Sequence, residues 1–154
     1  MDNFAGFWKR AAALVIDGII LTLVQVPVLF IIGMIFGVGV VSMIGGGMDP
    51  DNPAVGGLSA LFQLAVQGLS ITITWLYFAF MESSASQGTL GKMAMGIKVT
   101  DASGDRITFL RATGRFFSKM LSQMVCCIGY IIAAFTDKKQ ALHDFIASTL
   151  VVNK

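Results

Sequence analysis

The residues best placed to do chemistry are a carboxylate inside an apolar segment and a cation that precedes it. The stretch WKRAAALVID puts Arg10 at the start of this segment and Asp17 within it. An ionisable group in hydrocarbon costs about 2.5–3.5 kcal/mol on insertion scales. Such a residue therefore indicates an ion path, a proton relay or a buried ion pair.

Arg10 and Asp17 are too far apart to satisfy each other directly. They are separated by one heptad, which drifts only ~20° around a straight helix, so they share a face. Along the axis they lie about 10 Å apart at 1.5 Å per residue. Each needs another partner. For Asp17, two interpretations carry equal weight. One is an ion pair with Arg111, Arg115 or another basic residue that sets the fold, and the other is a role in proton or cation transfer.

A second chemical candidate lies near the C-terminus, where His143 precedes Asp144. Histidine changes charge near neutral pH, so the two residues can form a proton-handling pair. Neighbouring residues on a helix point about 100° apart, so they need not touch. A solvent-exposed histidine on a tail helix is the more ordinary interpretation.

Polar residues also recur along the apolar segments. Gln25 continues the Arg10–Asp17 face, and two further sets are spaced three or four apart: Gln63, Gln67, Ser70 and Thr74, and then Ser118, Ser122 and Cys126. This spacing places each set on a single helical face. The sets predict either a polar interior or hydrogen bonds that hold neighbouring helices together.

These residues must be positioned by membrane helices. The chain has 154 residues, of which 55% are hydrophobic and 13% charged, whereas soluble domains carry about 25% charged residues. A spanning helix needs roughly 20 apolar residues. We expect an all-α integral membrane protein with helix one at about 8–41, retained and not cleaved, helix two at about 58–81, and a third helical segment at about 110–136. The third segment either spans the membrane or is re-entrant.

The charges predict a topology in the cell (inner) membrane. Basic residues flank the N-terminus and follow helix two: Lys9, Arg10, Lys92, Lys98, Arg106, Arg111 and Arg115. The Gly-rich loop 42–57 has only acidic charges. The positive-inside rule then places the N-terminus and 82–115 in the cytoplasm, and 42–57 outside.

The remaining elements are small, and the whole chain 1–154 is expected to form one domain. Residues 96–109 alternate apolar and polar side chains around Ala102-Ser103-Gly104-Asp105, which predicts a cytoplasmic β-hairpin. The tail 137–154 predicts a short helix followed by a brief strand. Asp137, with Gln140 three residues later, fits the start of that helix.

Several functions lack their motifs. SQGTLGKMAMG does not have the spacing of a phosphate-binding loop, and no nucleophile with a base or metal-ligand cluster is recognisable. Cys126 and Cys127 indicate packing more than soft-metal binding. We therefore expect no enzyme, no cofactor and no resident metal. Basic residues without interleaved exposed aromatics also argue against nucleic acid as a partner.

Three stretches resemble the RDD family of small bacterial membrane proteins: FWKRAAALVIDGII, TLGKMAMGIKVTDASGDRITFLRATGRF and DKKQALHDFIASTLVV. The family is named for one arginine and two aspartates, which match Arg10, Asp17 and Asp144 here. Ser148 stands where the family tail often has glycine. The resemblance implies a membrane protein for which ligand transport, and in some members cation/proton antiport, has been suggested.

Two hypotheses follow. In the first, the chain is a transporter of an unidentified ligand in the lipid bilayer, a homo-oligomer in which a proton and a monovalent cation compete at Asp17. In the second, it is a non-transporting anchor, assembly or regulatory module whose charge network is structural. The primary site residues are Arg10, Asp17 and Asp144, and the secondary ones are His143, Gln25, Gln67, Arg111 and Lys92.

Overall fold

A computed structural model describes residues 4–43, 53–124 and 140–154. Within these residues, five helices and two strands follow in chain order: α1 Phe7–Met43, α2 Pro53–Ser83, α3 Leu90–Ala94, β1 Ile97–Asp101, α4 Phe109–Met124, α5 Leu142–Ile146 and β2 Thr149–Asn153. The described part of the chain is thus mostly helical, with a small antiparallel sheet.

The two long helices predicted from the apolar stretches are present. Phe7–Gly37 and Val55–Ser83 are each long and apolar enough to cross a membrane. At 1.5 Å per residue, both exceed the roughly 30 Å of hydrocarbon in a bilayer. Helix α1 continues through Pro27. Helix α2 begins at Pro53, inside the region predicted to be loop.

The chain falls into two compact units, and the single domain 1–154 stays a prediction. The polar unit comprises Met1–Ile19 and Thr74–Lys154, and the apolar unit comprises Ile20–Ile73. In the apolar unit, Ser70 Oγ donates to Gln25 Oε1 at 2.7 Å, and the rings of Phe36 and Phe62 stack. The predicted polar face of α2 therefore pairs with α1 at Ser70.

The sheet lies in the polar unit and corrects the predicted hairpin. Strand β1 pairs with β2, so that Ile97 lies opposite Asn153 and Val99 opposite Val151. The predicted turn does form, since Asp101 Oδ1 accepts from the amides of Ser103 and Asp105. The chain then enters α4 instead of returning along β1.

Two features explain why the chain does not return along β1. Thr108 Oγ1 accepts from the Arg111 amide, which starts α4 immediately after the turn. The C-terminal TLVVN offers an alternating strand, in which Val151 is buried against Val99. The Ala5 amide extends the sheet by donating to the Val151 carbonyl at 2.9 Å.

The third predicted helical segment starts as expected but has a polar character within its described part. Helix α4 begins at Phe109, and it buries Ala112, Arg115 and Phe116. A buried arginine on its inner face is not a lipid-facing residue. The rest of the predicted segment, 125–136, lies outside the described residues, as does the predicted helix start at Asp137.

Candidate functional site

The Asp17 carboxylate of α1 is buried and held by three neutral donors, one from α2, one from α3 and one from the residue that caps α3. Tyr77 Oη donates to Oδ1 at 2.8 Å, the Gly91 amide donates to the same oxygen at 2.8 Å, and Thr89 Oγ1 donates to Oδ2 at 2.5 Å. Asp17 is only 1% exposed. Among the described residues no cation lies within ion-pair distance, so the expected pair with Arg111 or Arg115 does not form.

Local structure explains why these donors converge on Asp17. Thr89 is the N-cap of α3, and its hydroxyl also accepts from the Lys92 amide. Gly91 follows two residues later, where the helix start leaves amides free to bond a carboxylate. A Cβ on Gly91 would overlap the Ala13 carbonyl oxygen and lie 2.9 Å from Asp17 Cγ. Glycine at this position is therefore required for α3 to approach α1.

The second carboxylate, Asp144, binds two arginines. Arg10 Nη1 contacts Oδ2, and Arg115 Nη2 lies 2.6 Å from Oδ1. The Ala141 amide also donates to Oδ2, at 3.3 Å, so Asp144 helps to start α5. Arg10 and Asp144 thus meet although 134 residues separate them.

A third carboxylate, Glu82, is the centre of a cation cluster. It pairs with Lys92 at 2.5 Å, with Arg115 at 3.0 Å and with Lys119 at 3.2 Å. Because Arg115 contacts both Glu82 and Asp144, it joins the two centres into one network. Lys119 also lies over the Phe78 ring, 4.4 Å from its centroid, which favours the cation further.

The network holds more positive than negative charge. Its four cations are Arg10, Lys92, Arg115 and Lys119, and its two carboxylates are Glu82 and Asp144. Two carboxylates cannot neutralise four buried or partly buried cations, so the network carries a net positive charge. Arg10 Nη2 is buried and has no hydrogen-bond partner among the described residues.

The pKa values in the network follow from burial and from the charges that surround each group. Burial and the nearby Arg115 lower the pKa of Lys92 to about 7, despite its contact with Glu82. Burial alone would lower the pKa of Arg115, but Asp144 and Glu82 raise it above its usual value. Burial alone would raise the pKa of Asp144, but Arg115, His143 and Arg10 hold it well below its usual range. Arg115 and Asp144 therefore remain charged at neutral pH.

His143 is buried, which corrects the expectation of a solvent-exposed tail histidine. It is 3% exposed, and its Nε2 lies 3.5 Å from Asp144 Oδ1. Burial lowers its pKa to about 3, and Arg115, Lys119 and Lys92 act in the same direction against Asp144. His143 is therefore neutral when folded at neutral pH and is no proton carrier there.

This shift predicts acid destabilisation. Between pH 6.5 and about 3, the unfolded chain binds a proton at His143 and the folded chain does not, so stability falls as the pH drops. We expect the melting temperature to decrease from pH 6.5 to about 5, a range above most carboxylate titrations. His143→Gln, which removes the only histidine, should flatten this dependence. Equal slopes in both proteins would contradict it.

The other predicted site residues have different outcomes. Lys92 joins the network through Glu82, while Arg111 lies outside it, half exposed and 3.6 Å from Asp101. Gln25 bonds Ser70, and Gln67 is exposed on α2. The structure thus brings together Arg10, Asp144, His143 and Lys92, and it leaves Asp17 in a separate centre.

The prediction missed Glu82 and Lys119 as network members. A carboxylate at the end of a 31-residue apolar helix was a signal that could have identified Glu82. Lys119 stands within an apolar stretch in the same way. No group of three or more His, Cys, Asp or Glu residues that could hold a metal ion occurs in the ranges 4–43, 53–124 and 140–154.

Comparison with known proteins identifies a matching family and several similar bacterial proteins. The model of the RDD family matches residues 4–148. The chain is 38% identical to the uncharacterized protein YxaI of Bacillus subtilis (strain 168) over 154 residues, which is 100% of both chains. It is 35% identical to the uncharacterized membrane protein YteJ of that organism over 103 residues, covering 62% of this chain and 58% of YteJ. No solved structure matches the chain.

Proposed function

The chain belongs to the RDD family, and from that premise we propose that it is a non-transporting, non-catalytic membrane module that assembles with further copies of itself. Its Arg10–Asp144 network holds the polar unit in one conformation. The N-terminus and 82–115 face the cytoplasm, and 42–57 faces outside, in accordance with the exposed cations Lys9, Arg106 and Arg111.

One observation carries this proposal: among the described residues, the three buried carboxylates already have partners from the chain itself. Asp17 accepts three hydrogen bonds, Asp144 binds two arginines, and Glu82 binds three cations. A transported cation would have to displace these donors. A buried network of this kind holds the packing of its segments, because removal of one partner leaves an uncompensated charge.

Self-association is supported by α2 in the apolar unit. Gln63 and Gln67 are exposed on this candidate span, one helical turn apart. A polar side chain facing lipid loses its hydrogen bonds, so such residues are usually covered by another helix. A second copy of α2 offers the same two glutamines to one another.

Transport is the second candidate, and Asp17 is the observation that favours it. This carboxylate lies within a candidate span, and no cation pairs with it among the described residues. It can therefore exchange a proton for a monovalent cation, provided that Tyr77 and Thr89 release it. The two functions differ in whether the charge of Asp17, and not only its hydrogen bonds, is needed.

Asp17→Asn separates them because asparagine can keep the local bonds. Its carbonyl oxygen can accept from Tyr77 and Gly91, and its amide can donate to the hydroxyl of Thr89. We expect the variant to melt close to the parent. In acid-loaded vesicles, Na⁺, Li⁺ or K⁺ should release no more protons from the parent than from empty vesicles. Self-association is tested separately. Parent copies labelled with a fluorescent donor or acceptor should show fluorescence energy transfer in dilute lipid, and the double variant Gln63→Leu/Gln67→Leu should show less.

The controls distinguish three outcomes. Asp17→Ala, which abandons all three donors, should melt lower than Asp17→Asn. The module proposal would be contradicted, and transport supported, by a cation-triggered proton flux that the parent shows and Asp17→Asn lacks while it melts normally. If no energy transfer were seen at any protein-to-lipid ratio, the proposed self-association would be wrong.

A further inference from the structure

Helix α4 has an apolar face that is exposed in the described part of the chain. Leu110 is 80% exposed and Phe117, one heptad later, is 52% exposed. Phe109 and Met120 extend the same side of the helix and are also exposed. The opposite side contributes Ala112 and Arg115 to the interior, and Phe116, beside Phe109, is buried at the edge of the exposed face. Helix α4 is thus amphipathic, with a continuous apolar face directed away from the charge network.

This α4 face is continuous with the end of a candidate span. The Phe109 ring lies 5.1 Å from Phe80 and 6.1 Å from Trp75, both in the part of α2 that belongs to the polar unit. Phe117 lies 6.3 Å from Trp75. Trp75 Nε1 donates to Thr113 Oγ1, which fixes α4 to α2. Since Phe80 is 60% exposed near the end of the span, the apolar surface passes from α2 onto α4 without interruption.

A groove with a basic edge borders the same face. It has a volume of about 340 Å³ and is lined by Leu110, Arg111, Gly114 and Ser118 of α4 and by Ile146 and Ser148. Arg111 is half exposed, and its ion pair with the partly exposed Asp101 is long at 3.6 Å. Arg106, just before α4, is exposed as well. The mouth of the groove therefore combines apolar side chains with a half-exposed cation.

We propose that α4 lies in the membrane interface, with its apolar face among the upper acyl chains and with the groove at Arg111 holding the headgroup of an anionic phospholipid. An interfacial helix combines an apolar face with basic residues at its edge, as α4 does. A spanning helix would instead carry Arg115 and Lys119 into hydrocarbon. Continuity with α2 favours the bilayer over a separate protein as the occupant of the face.

The depth of α4 can be measured on the full chain in vesicles. After Cys126 and Cys127 are replaced by serine, a fluorophore is attached at Leu110→Cys, at Ser103→Cys in the exposed turn, or at Leu23→Cys in the middle of α1. The label at 110 should be quenched most by nitroxides high on the acyl chain, as expected for burial of about 5–10 Å. The label at 23 should be quenched most by deep nitroxides, and the label at 103 by aqueous iodide.

The lipid preference is tested with the same label at 110 and with brominated lipids. Anionic phosphatidylglycerol should quench more strongly than phosphatidylcholine at equal mole fraction. Arg111→Gln should reduce this preference roughly fivefold, the effect of one basic residue at a membrane surface. Arg111→Lys should retain it, and Lys154→Gln, which changes an exposed cation outside the groove, should leave it unchanged.

Each other outcome overturns the proposal. Iodide quenching at 110 as strong as at 103 would leave α4 in water. Quenching at 110 by deep nitroxides, as at 23, would make the segment a spanning one. Protection from both iodide and nitroxides would mean that a protein, a second copy or another chain, covers the face. If Lys154→Gln lost as much of the lipid preference as Arg111→Gln, the preference would come from the general surface charge and not from the groove.

Discussion

Arg115→Met is expected to lower the free energy of unfolding by about 3–5 kcal/mol, the cost of removing one partner from a buried ion pair. Arg115 is 2% exposed and binds Asp144 at 2.6 Å and Glu82 at 3.0 Å. Methionine keeps most of the volume but none of the donors. Asp144 would retain Arg10, and Glu82 its lysines, but the connection between the two centres would be lost.

Arg111→Met is the matched control on the same helix. Arg111 is half exposed and 3.6 Å from Asp101, so its loss should cost no more than about 1 kcal/mol. A denaturant titration in detergent micelles, followed by near-ultraviolet circular dichroism, compares the two variants. Equal losses would show that Arg115 contributes no more than a surface charge.

A double variant separates two contributions to the cost of Arg115→Met: the lost attraction between the ion pairs and the cost of leaving a buried carboxylate unpaired. In Arg115→Met/Glu82→Gln, one of the two carboxylates that Arg115 served becomes neutral. If most of the cost comes from the uncompensated charge, the double variant should be more stable than the sum of the single losses predicts. Simple addition would mean that Glu82 and Arg115 act independently, against the single network seen in the structure.

The parts predicted well from sequence depend on local pattern. Helices α1 and α2 follow from two long apolar stretches, which have no other stable form in a bilayer. Asp17 was recognised because it is a costly residue in such a stretch, and Arg10 because it matches the arginine of the family resemblance. The separation of this pair by one heptad also excluded a direct bond, and the structure gives each of them a different partner.

The parts that were missed depend on contacts between distant segments. Strand β1 pairs with the last five-residue strand and not with its neighbour, and no local signal distinguishes these two partners. The same holds for Glu82, which meets Lys119 across 37 residues. The partners of Asp17 were missed for another reason. They are a phenol, a hydroxyl and a backbone amide, all neutral, whereas the sequence analysis looked for charged partners and therefore named arginines.

Gly91→Ala is expected to destabilise the polar unit by about 3 kcal/mol, the upper end of the range for overpacking. The added Cβ would overlap the Ala13 carbonyl and lie 3.0 Å from Asp17 Oδ1. Helix α3 would have to move away from α1, which weakens the bond from the Gly91 amide to Asp17. Gly114→Ala is the control, because a Cβ there meets nothing within 4 Å.

The two glycines should therefore change stability in opposite directions. Gly114 lies inside α4, where alanine is favoured over glycine by about 1 kcal/mol. In an Asp17→Ala background, Gly91→Ala should cost less than in the parent, because the bond that it weakens is already gone and only the overlap with Ala13 remains. Thermal melts of the four proteins of this cycle measure that coupling. A cost independent of Asp17 would mean that Gly91 serves only the approach of two backbones, and that the Asp17 centre does not depend on where α3 lies.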